Sequence, residues 1–202
     1  MMDEDIYDSL SYVMPHLRHG LWHFTSLDNF RSIVASGSLD PNRGQFPYNH
    51  GQTKYYYGGQ HEYLSLFDFE TANESEYREI ASTWAPFITE FKPYTVGIKI
   101  KRDLVTELIP NDWDNRRHNA NFIPFVECWS VHAIPVEAFE KILITTWFTD
   151  VDRALIVYEA PFQIAILNDI DEALDRKLSP EEIVKIRQSL ADFLGVPIEE
   201  IP

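Results

Sequence analysis

The hydrophobic pattern of this chain is clearest between Leu21 and Leu39, where a strand pattern passes directly into a helix pattern. Trp22 and Phe24 alternate with His23 and Thr25, and this period of two predicts a strand with one apolar and one polar side. The apolar residues that follow recur every three or four positions, which predicts a helix with one apolar face. That face comprises Leu27, Phe30, Ile33 and Val34. We therefore expect a strand followed by a helix that packs on a sheet.

Both ends of this predicted helix carry terminal signals. Thr25 or Ser26 can accept a hydrogen bond from the first turn, and Thr25 with Asp28 three positions later has the spacing of a capping box. Gly37 stands where a left-handed residue often ends a helix. The predicted helix therefore begins after one of the two hydroxyl residues and ends at Gly37.

The rest of the chain predicts an α+β fold. Further strands are predicted at 62–69, 94–101, 122–131, 141–147 and 154–158. Further helices are predicted at 3–18, 70–84, 102–108, 169–176 and 179–194, with a long loop at 40–60. We expect a split, mainly antiparallel β-sheet with flanking helices. A single domain is expected over residues 1–178, with a helical appendage at 179–202 packed on it.

Residues 94–101 form the most regular of these predicted strands. The apolar positions alternate with small or basic ones, as Val96, Ile98 and Ile100 against Gly97, Lys99 and Lys101. This alternation predicts that one face of the strand is buried and that the other is in water.

The composition limits the classes of partner. The 202 residues carry 17 Lys and Arg against 32 Asp and Glu, a formal net charge of −15 at pH 7, which disfavours non-specific binding to nucleic acid or to an anionic membrane. Cys128 is the only cysteine, so no internal disulfide can form. No window approaches the roughly 20 consecutive apolar residues of a membrane span, and no signal-peptide pattern is present. We expect a cytoplasmic protein.

Glu127 is the main candidate for chemistry, because it interrupts an otherwise apolar run, FIPFVECWSV. An ionised carboxylate in an apolar environment is costly unless it has a partner or a pocket. On the predicted strand, Phe125 and Trp129 flank Glu127 on its own face. The residue therefore either faces solvent or lines a cleft between two aromatic rings.

His23 and the aromatic residues near position 60 are further candidates. His23 shares its strand face with Thr25, and both a structural histidine and a ligand contact fit this position. Tyr55–Tyr57 can stack on a planar ligand or pack the loop down. In the predicted strand at 62–69, Tyr63, Ser65 and Phe67 share one face.

Three motifs together resemble those of the ADP-ribosyltransferase superfamily. HFTSLDNFRSIVASGSL resembles its opening motif, in the branch with a leading histidine that diphtheria-toxin-like and poly(ADP-ribose)-polymerase-like enzymes share. YLSLF resembles the second motif, and E-x-W-x-x-x-x-I-P-x-x-x-x-x-K-I resembles the third, so that the resemblance covers roughly residues 20–147. The resemblance is greatest to bacterial DNA-targeting ADP-ribosylating toxins and to their relatives found in phage-defence contexts.

The resemblance implies a cleft that binds NAD as a substrate. His23 would then bond the adenosine-side ribose, with Thr25 in support. The residue that borders the nicotinamide has three alternatives, Tyr57, Tyr63 and Ser65. Glu127 would be catalytic, because a carboxylate stabilises the positively charged ribose that remains when nicotinamide departs.

Two functions follow from these observations. The first is NAD-dependent transfer of ADP-ribose to a macromolecular acceptor, in a toxin or in phage defence. The second is a catalytically inactive member of the same fold, which binds a nucleotide, or a protein partner through the acidic surface. The first function predicts that His23 and Glu127 lie on neighbouring strands and face one pocket. Neither function calls for a metal, and no zinc-ligand spacing is present.

Overall fold

The structure of this chain is a computed structural model that describes residues 13–43, 56–81, 94–110, 122–148, 153–163 and 166–175. The chain divides into two compact units, Met1–Ile164 and Ala165–Pro202. The first unit carries the sheet and every candidate residue. In the second unit, the structure describes one helix at Ile166–Asp175.

The described elements of the first unit are eight strands and four helices. The strands are β1 Leu21–Ser26, β2 Ser38–Leu39, β3 Leu64–Asp68, β4 Tyr94–Ile100, β5 Glu127–Ser130, β6 Ile134–Pro135, β7 Phe139–Phe148 and β8 Arg153–Pro161. The helices are α1 Met14–Leu17, α2 Leu27–Ser36, α3 Tyr57–His61 and α4 Glu74–Glu79. Short 3₁₀ turns span Arg102–Leu104 and Val136–Ala138.

Six of the strands form one sheet in the order β5-β3-β1-β4-β7-β8, and each neighbouring pair is antiparallel. Strands β2 and β6 form a separate antiparallel pair. The predicted α+β class with a mainly antiparallel sheet is therefore confirmed. The ladder between β1 and β4 covers all six residues of β1, whereas the ladder between β1 and β3 pairs only Leu21 with Asp68 and Trp22 with Phe67. Strand β1 is thus joined closely to β4 and over a short length to β3.

A hydrophobic core covers one side of this sheet. The rings of Trp22 and Phe24 stack with centroids 6.3 Å apart, and Phe24 contacts Phe67 at 5.4 Å. Gly97 lies opposite Phe24 in the ladder, where an added Cβ would be 3.0 Å from the Phe24 ring. The expectation that this face of β4 is in water is therefore wrong at Gly97, which is buried, and it holds only in part at Lys99, which is half-buried.

Helix α2 begins and ends where predicted, but its N-terminus is capped by Ser26 alone and not by a capping box. The Ser26 hydroxyl accepts a hydrogen bond from the Asn29 N–H at 3.2 Å, and Gly37 is left-handed with φ 82°. The capping box expected between Thr25 and Asp28 is wrong, because Thr25 is buried within β1 and Ser26 occupies the cap position.

Several other predicted elements are shorter than expected. The helix predicted at 70–84 begins only at Glu74, because Asn73 and Glu76 form a capping box that fixes its start. The helix predicted at 102–108 is the single 3₁₀ turn, and the loop predicted at 40–60 includes the start of α3. Residues 3–12, 82–84 and 179–194 of the predicted helices lie outside the described residues, as does Tyr55.

Candidate functional site

Glu127 is the first residue of β5, and its carboxylate is enclosed by hydrogen-bond donors. The side chain is only 5% exposed. The Ile123 N–H donates to Oε2 at 2.6 Å, and the Trp129 indole N–H donates to Oε1 at 3.3 Å. The Ser65 hydroxyl, on β3, also bonds the carboxylate. A buried carboxylate with three donors is held in one orientation.

Burial of Glu127 has a strong effect on its ionisation. Loss of solvent raises the pKa of the carboxyl to about 7, although the bonds from Ile123, Ser65 and Trp129 act in the opposite direction. The group is therefore about half ionised at neutral pH. Such a carboxyl can serve both as an anion and as a proton carrier under ordinary conditions.

The backbone just before Glu127 is strained. Phe125 has φ 68°, which is rare for a residue with a bulky side chain. The Val126 N–H donates to the Pro124 carbonyl at 2.8 Å, so these residues form a three-residue γ-turn. The Asp68 N–H in turn donates to the Val126 carbonyl at 2.7 Å and ties the turn to β3. Because of this turn, the strand predicted at 122–131 begins only at Glu127, and the Ile123 N–H is brought onto the Glu127 carboxylate.

An aromatic cluster adjoins the carboxylate. Its five rings belong to Tyr57, His61, Tyr63, Phe122 and Trp129. The Tyr57 ring lies 4.5 Å from the Trp129 ring and 4.4 Å from His61, measured between centroids. Tyr57 and Tyr63 are half-buried and His61 is exposed, so the cluster runs from the buried carboxylate to the surface. Flat aromatic surfaces of this kind bind planar groups.

His23 contacts the same region through the backbone of β3. Its Nδ1 lies 3.0 Å from the Ser65 carbonyl oxygen, which can only accept, so Nδ1 carries the proton. Burial lowers the pKa of His23 to about 4, and the bond to Ser65 offsets only part of this effect. The ring is therefore neutral at pH 7, and Nε2 is a hydrogen-bond acceptor.

His23 and Glu127 do not share a face of the sheet. Strand β3 separates β1 from β5, so the two residues are not on neighbouring strands. Trp22 pairs with Phe67, and Phe67 pairs with Glu127, which places these three side chains on one side. Because side chains alternate along a strand, His23 lies on the other side. The expectation of one shared pocket is wrong, and the two residues are linked instead through Ser65.

The structure thus brings together most of the predicted site residues. Glu127 lies with Ser65, Tyr57, Tyr63 and the flanking Trp129, whereas Phe125 is in the turn and not on the strand face. Thr25 is buried two residues beyond His23 and pairs with Val96. Sequence reasoning missed three contributors, namely the Ile123 N–H, Gly58 and His61. The GGQH segment that follows the tyrosines was the available signal for the last two, and no sequence signal marked Ile123.

No model of a known protein family matches the chain, and neither a curated protein nor a solved structure matches it. Among the described residues, no three His, Cys, Asp or Glu side chains are grouped to hold a metal ion. None of the helices in the described ranges has the length and apolar composition needed to cross a membrane. The chemistry of the Glu127 site is therefore the basis for a functional proposal.

Proposed function

We propose that the chain binds NAD beside Glu127 and transfers ADP-ribose from it to a macromolecular acceptor, on an ADP-ribosyltransferase-like sheet. The observation that carries this proposal is a buried, oriented carboxylate that adjoins a cluster of aromatic rings. A carboxylate stabilises positive charge, and the rings offer surfaces for a planar leaving group. Such an activity suits a toxin or a phage-defence protein.

In the proposed reaction, the bond between ribose C1′ and the nicotinamide nitrogen breaks. Nicotinamide leaves with the electron pair, and the ribose becomes an oxocarbenium-like cation. Ionised Glu127 stabilises this cation from a fixed position, so that little reorganisation is needed as the charge develops. The acceptor nucleophile then bonds C1′ and loses its proton to Glu127 or to water.

The aromatic and hydroxyl residues beside Glu127 would bind NAD in its ground state. The ribose contact that the resemblance implies for His23 is not part of this proposal, because His23 lies on the opposite side of the sheet from Glu127. Tyr57, Tyr63 and Ser65 remain alternatives for the residue that borders the nicotinamide, and all three lie near Glu127. The proposal therefore predicts that these three residues affect NAD affinity and that Glu127 affects the chemical step.

The first test is nicotinamide release from NAD by wild type and Glu127→Gln. The glutamine keeps the size of the side chain and an oxygen for the Ile123 N–H, but it removes the charge. We expect release to slow by about 10²–10³ with little change in NAD affinity, since the stabilised charge exists only near the transition state. A variant that melts several degrees early yet releases nicotinamide at the wild-type rate would reject the catalytic assignment.

His23→Ala provides the complementary measurement. Because His23 lies on the opposite side of the sheet from Glu127, the affinity for NAD should be unchanged in a folded variant. Weaker NAD binding by a folded variant would show that His23 contacts the ligand and would contradict this placement.

A second candidate function is a catalytically inactive module that binds a nucleotide or a protein partner. The observation that favours it is the placement of His23 and Glu127 on opposite sides of the sheet, together with the three donors that already engage the Glu127 carboxylate. NAD binding by the wild-type chain without nicotinamide release would support this function over transfer.

A further inference from the structure

Helix α3 packs directly on the side chains that hold Glu127. An added Cβ at Gly58 would lie 2.4 Å from the Ser65 Oγ and 3.0 Å from Cδ1 of Trp129. Real Cβ atoms do not approach other atoms as closely as 2.4 Å, so only glycine allows this contact. Both residues that Gly58 meets are hydrogen-bond donors to the carboxylate. Helix α3 is therefore part of the covering of Glu127.

This packing leaves the Glu127 carboxylate covered. The Glu127 side chain is 5% exposed, and the Tyr57 ring of α3 lies 4.5 Å from the Trp129 ring. A ribose that approaches the carboxylate from the side of Ser65 and Trp129 meets α3, which packs on both residues. Access to Glu127 through this side thus requires α3 to move.

Two backbone hydrogen bonds of α3 join residues that are close in the sequence. The Gln60 N–H donates to the Tyr56 carbonyl at 2.9 Å, and the Tyr63 N–H donates to the Gly58 carbonyl at 2.8 Å. A helix of five residues has little stability of its own and depends on the side chains it packs against. It ends at Glu62, a non-glycine residue with φ 57°, whose conformation is costly unless the surroundings hold it. Neither of these two bonds belongs to the six-stranded sheet, so breaking them leaves the ladders of the sheet in place.

We propose that α3 is an autoinhibitory cover over Glu127, which opens as a local unit to admit a ligand. The opening is a property of the free chain, whereas its use in NAD access rests on the proposed function. A closed majority state lowers the apparent affinity of any ligand that needs the open state.

Hydrogen exchange on the free wild-type chain tests the opening. The amides of Gln60 and Tyr63 report on α3, and the amides of β4 report on the sheet, since β4 lies between two ladders. We expect the α3 amides to exchange at least about 100-fold faster than the β4 amides, with little dependence on low denaturant, as in local opening. Exchange of α3 only together with β4 would overturn the proposal.

A pair of glycine variants tests whether the opening uncovers Glu127. In Gly58→Ala, the new Cβ displaces α3 from Ser65 and Trp129, so we expect the carboxyl titration of Glu127, followed by ¹³C NMR, to move down from about 7 toward its ordinary range. The matched control is Gly97→Ala, whose Cβ meets the core ring of Phe24. The control should melt earlier than wild type without moving the Glu127 titration. If the Gly58→Ala variant folds and the pKa of its Glu127 carboxyl is unchanged, the proposal that α3 covers Glu127 is overturned.

Two further outcomes are decisive. If Gly58→Ala does not fold, Tyr57→Ala removes the ring contact with Trp129 without adding a clash, and the same downward movement of the Glu127 titration is expected. Local exchange of α3 without nicotinamide release by any variant would support the cover and reject ADP-ribose transfer. Nicotinamide release by a chain whose α3 amides exchange only with β4 would reject the cover and support transfer.

Discussion

Ser65 connects the two halves of the candidate site, because its backbone and its side chain have different partners. Its carbonyl accepts the hydrogen bond of His23, and its hydroxyl bonds Glu127. The backbone carbonyl is retained in any substitution, whereas the hydroxyl is not. The two contacts can therefore be separated by one variant.

In Ser65→Ala, we expect the pKa of Glu127 to rise above its wild-type value. The hydroxyl bond stabilises the ionised carboxylate, so its loss favours the protonated form. The pKa of His23 should stay where it is, because the carbonyl remains. Carboxyl and imidazole titrations by NMR measure both groups in one sample. An unmoved Glu127 titration would show that the hydroxyl does not act on the carboxylate.

Glu127 also predicts how the proposed activity depends on pH. Only the ionised carboxylate can stabilise a cation, and the pKa of the group is about 7. The value of kcat/KM for nicotinamide release, measured well below saturating NAD, should therefore rise with pH through a midpoint near 7 and level off above it. Initial rates between pH 5.5 and 8.5 measure the profile. A rate that is flat over this range would argue against Glu127 as the charged group.

At the scale of elements, the cap of α2 is the clearest local contribution to stability. Ser26→Ala removes the acceptor for the Asn29 N–H and should cost about 1 kcal/mol, or a fall in Tm of roughly 2–4 °C. The matched control is Asp28→Asn, which keeps the side-chain shape and removes a favourable charge in the first turn together with its exposed ion pair to Arg31, so its effect should be smaller. Thermal melts of the three proteins measure this order. If Asp28→Asn lowers Tm as much as Ser26→Ala or more, Asp28 and not Ser26 makes the larger contribution at this end of the helix.

The same elements show what the sequence could predict. The positions of β1, β4 and α2 could be predicted from local periodicity, because the spacing of apolar residues indicates which face of an element is buried. The pairing of Glu127 with Trp129 on one face also followed from alternation. The γ-turn at Phe125 could not be predicted, because its positive φ is imposed by tertiary contacts with β3 and opposes the local preference of phenylalanine.

At the scale of the whole molecule, the strand order of the sheet determines how His23 and Glu127 lie relative to each other, which the alternation of side chains along single strands does not give. The sequence predicted that His23 and Glu127 belong to strands of one sheet, but the position of β3 between β1 and β5 depends on long-range pairing. That position sets the side of the sheet on which each residue lies. The net negative charge is a second property at this scale. With a net charge of −15, a polyanionic acceptor would meet repulsion, and its binding would have to rely on local contacts.

The two buried titratable groups have opposite effects on stability, which gives the last prediction. Burial lowers the pKa of His23 from 6.5 to about 4, so the folded state binds fewer protons than the unfolded state, and His23 makes stability rise between about pH 4 and 6.5. Burial raises the pKa of Glu127 from 4.5 to about 7, so Glu127 makes stability fall between about pH 4.5 and 7. Each slope is at most about 1.4 kcal/mol per pH unit. The two contributions therefore offset each other between about pH 4.5 and 6.5.

Single variants should separate the contributions of His23 and Glu127 to the pH dependence of stability. Relative to wild type, His23→Asn, which keeps an N–H near the position of Nδ1, should lose stability as pH rises from 4.5 to 6.5, because only Glu127 then titrates. Glu127→Gln should gain stability over the same range, because only His23 then titrates. Urea unfolding at pH 4.5, 5.5 and 6.5 measures both slopes, and all other groups contribute equally to each protein. The double variant is the control, since it lacks both groups and should recover the pH dependence of wild type. Single variants that keep the wild-type pH dependence would show that neither group is buried in the way this site requires.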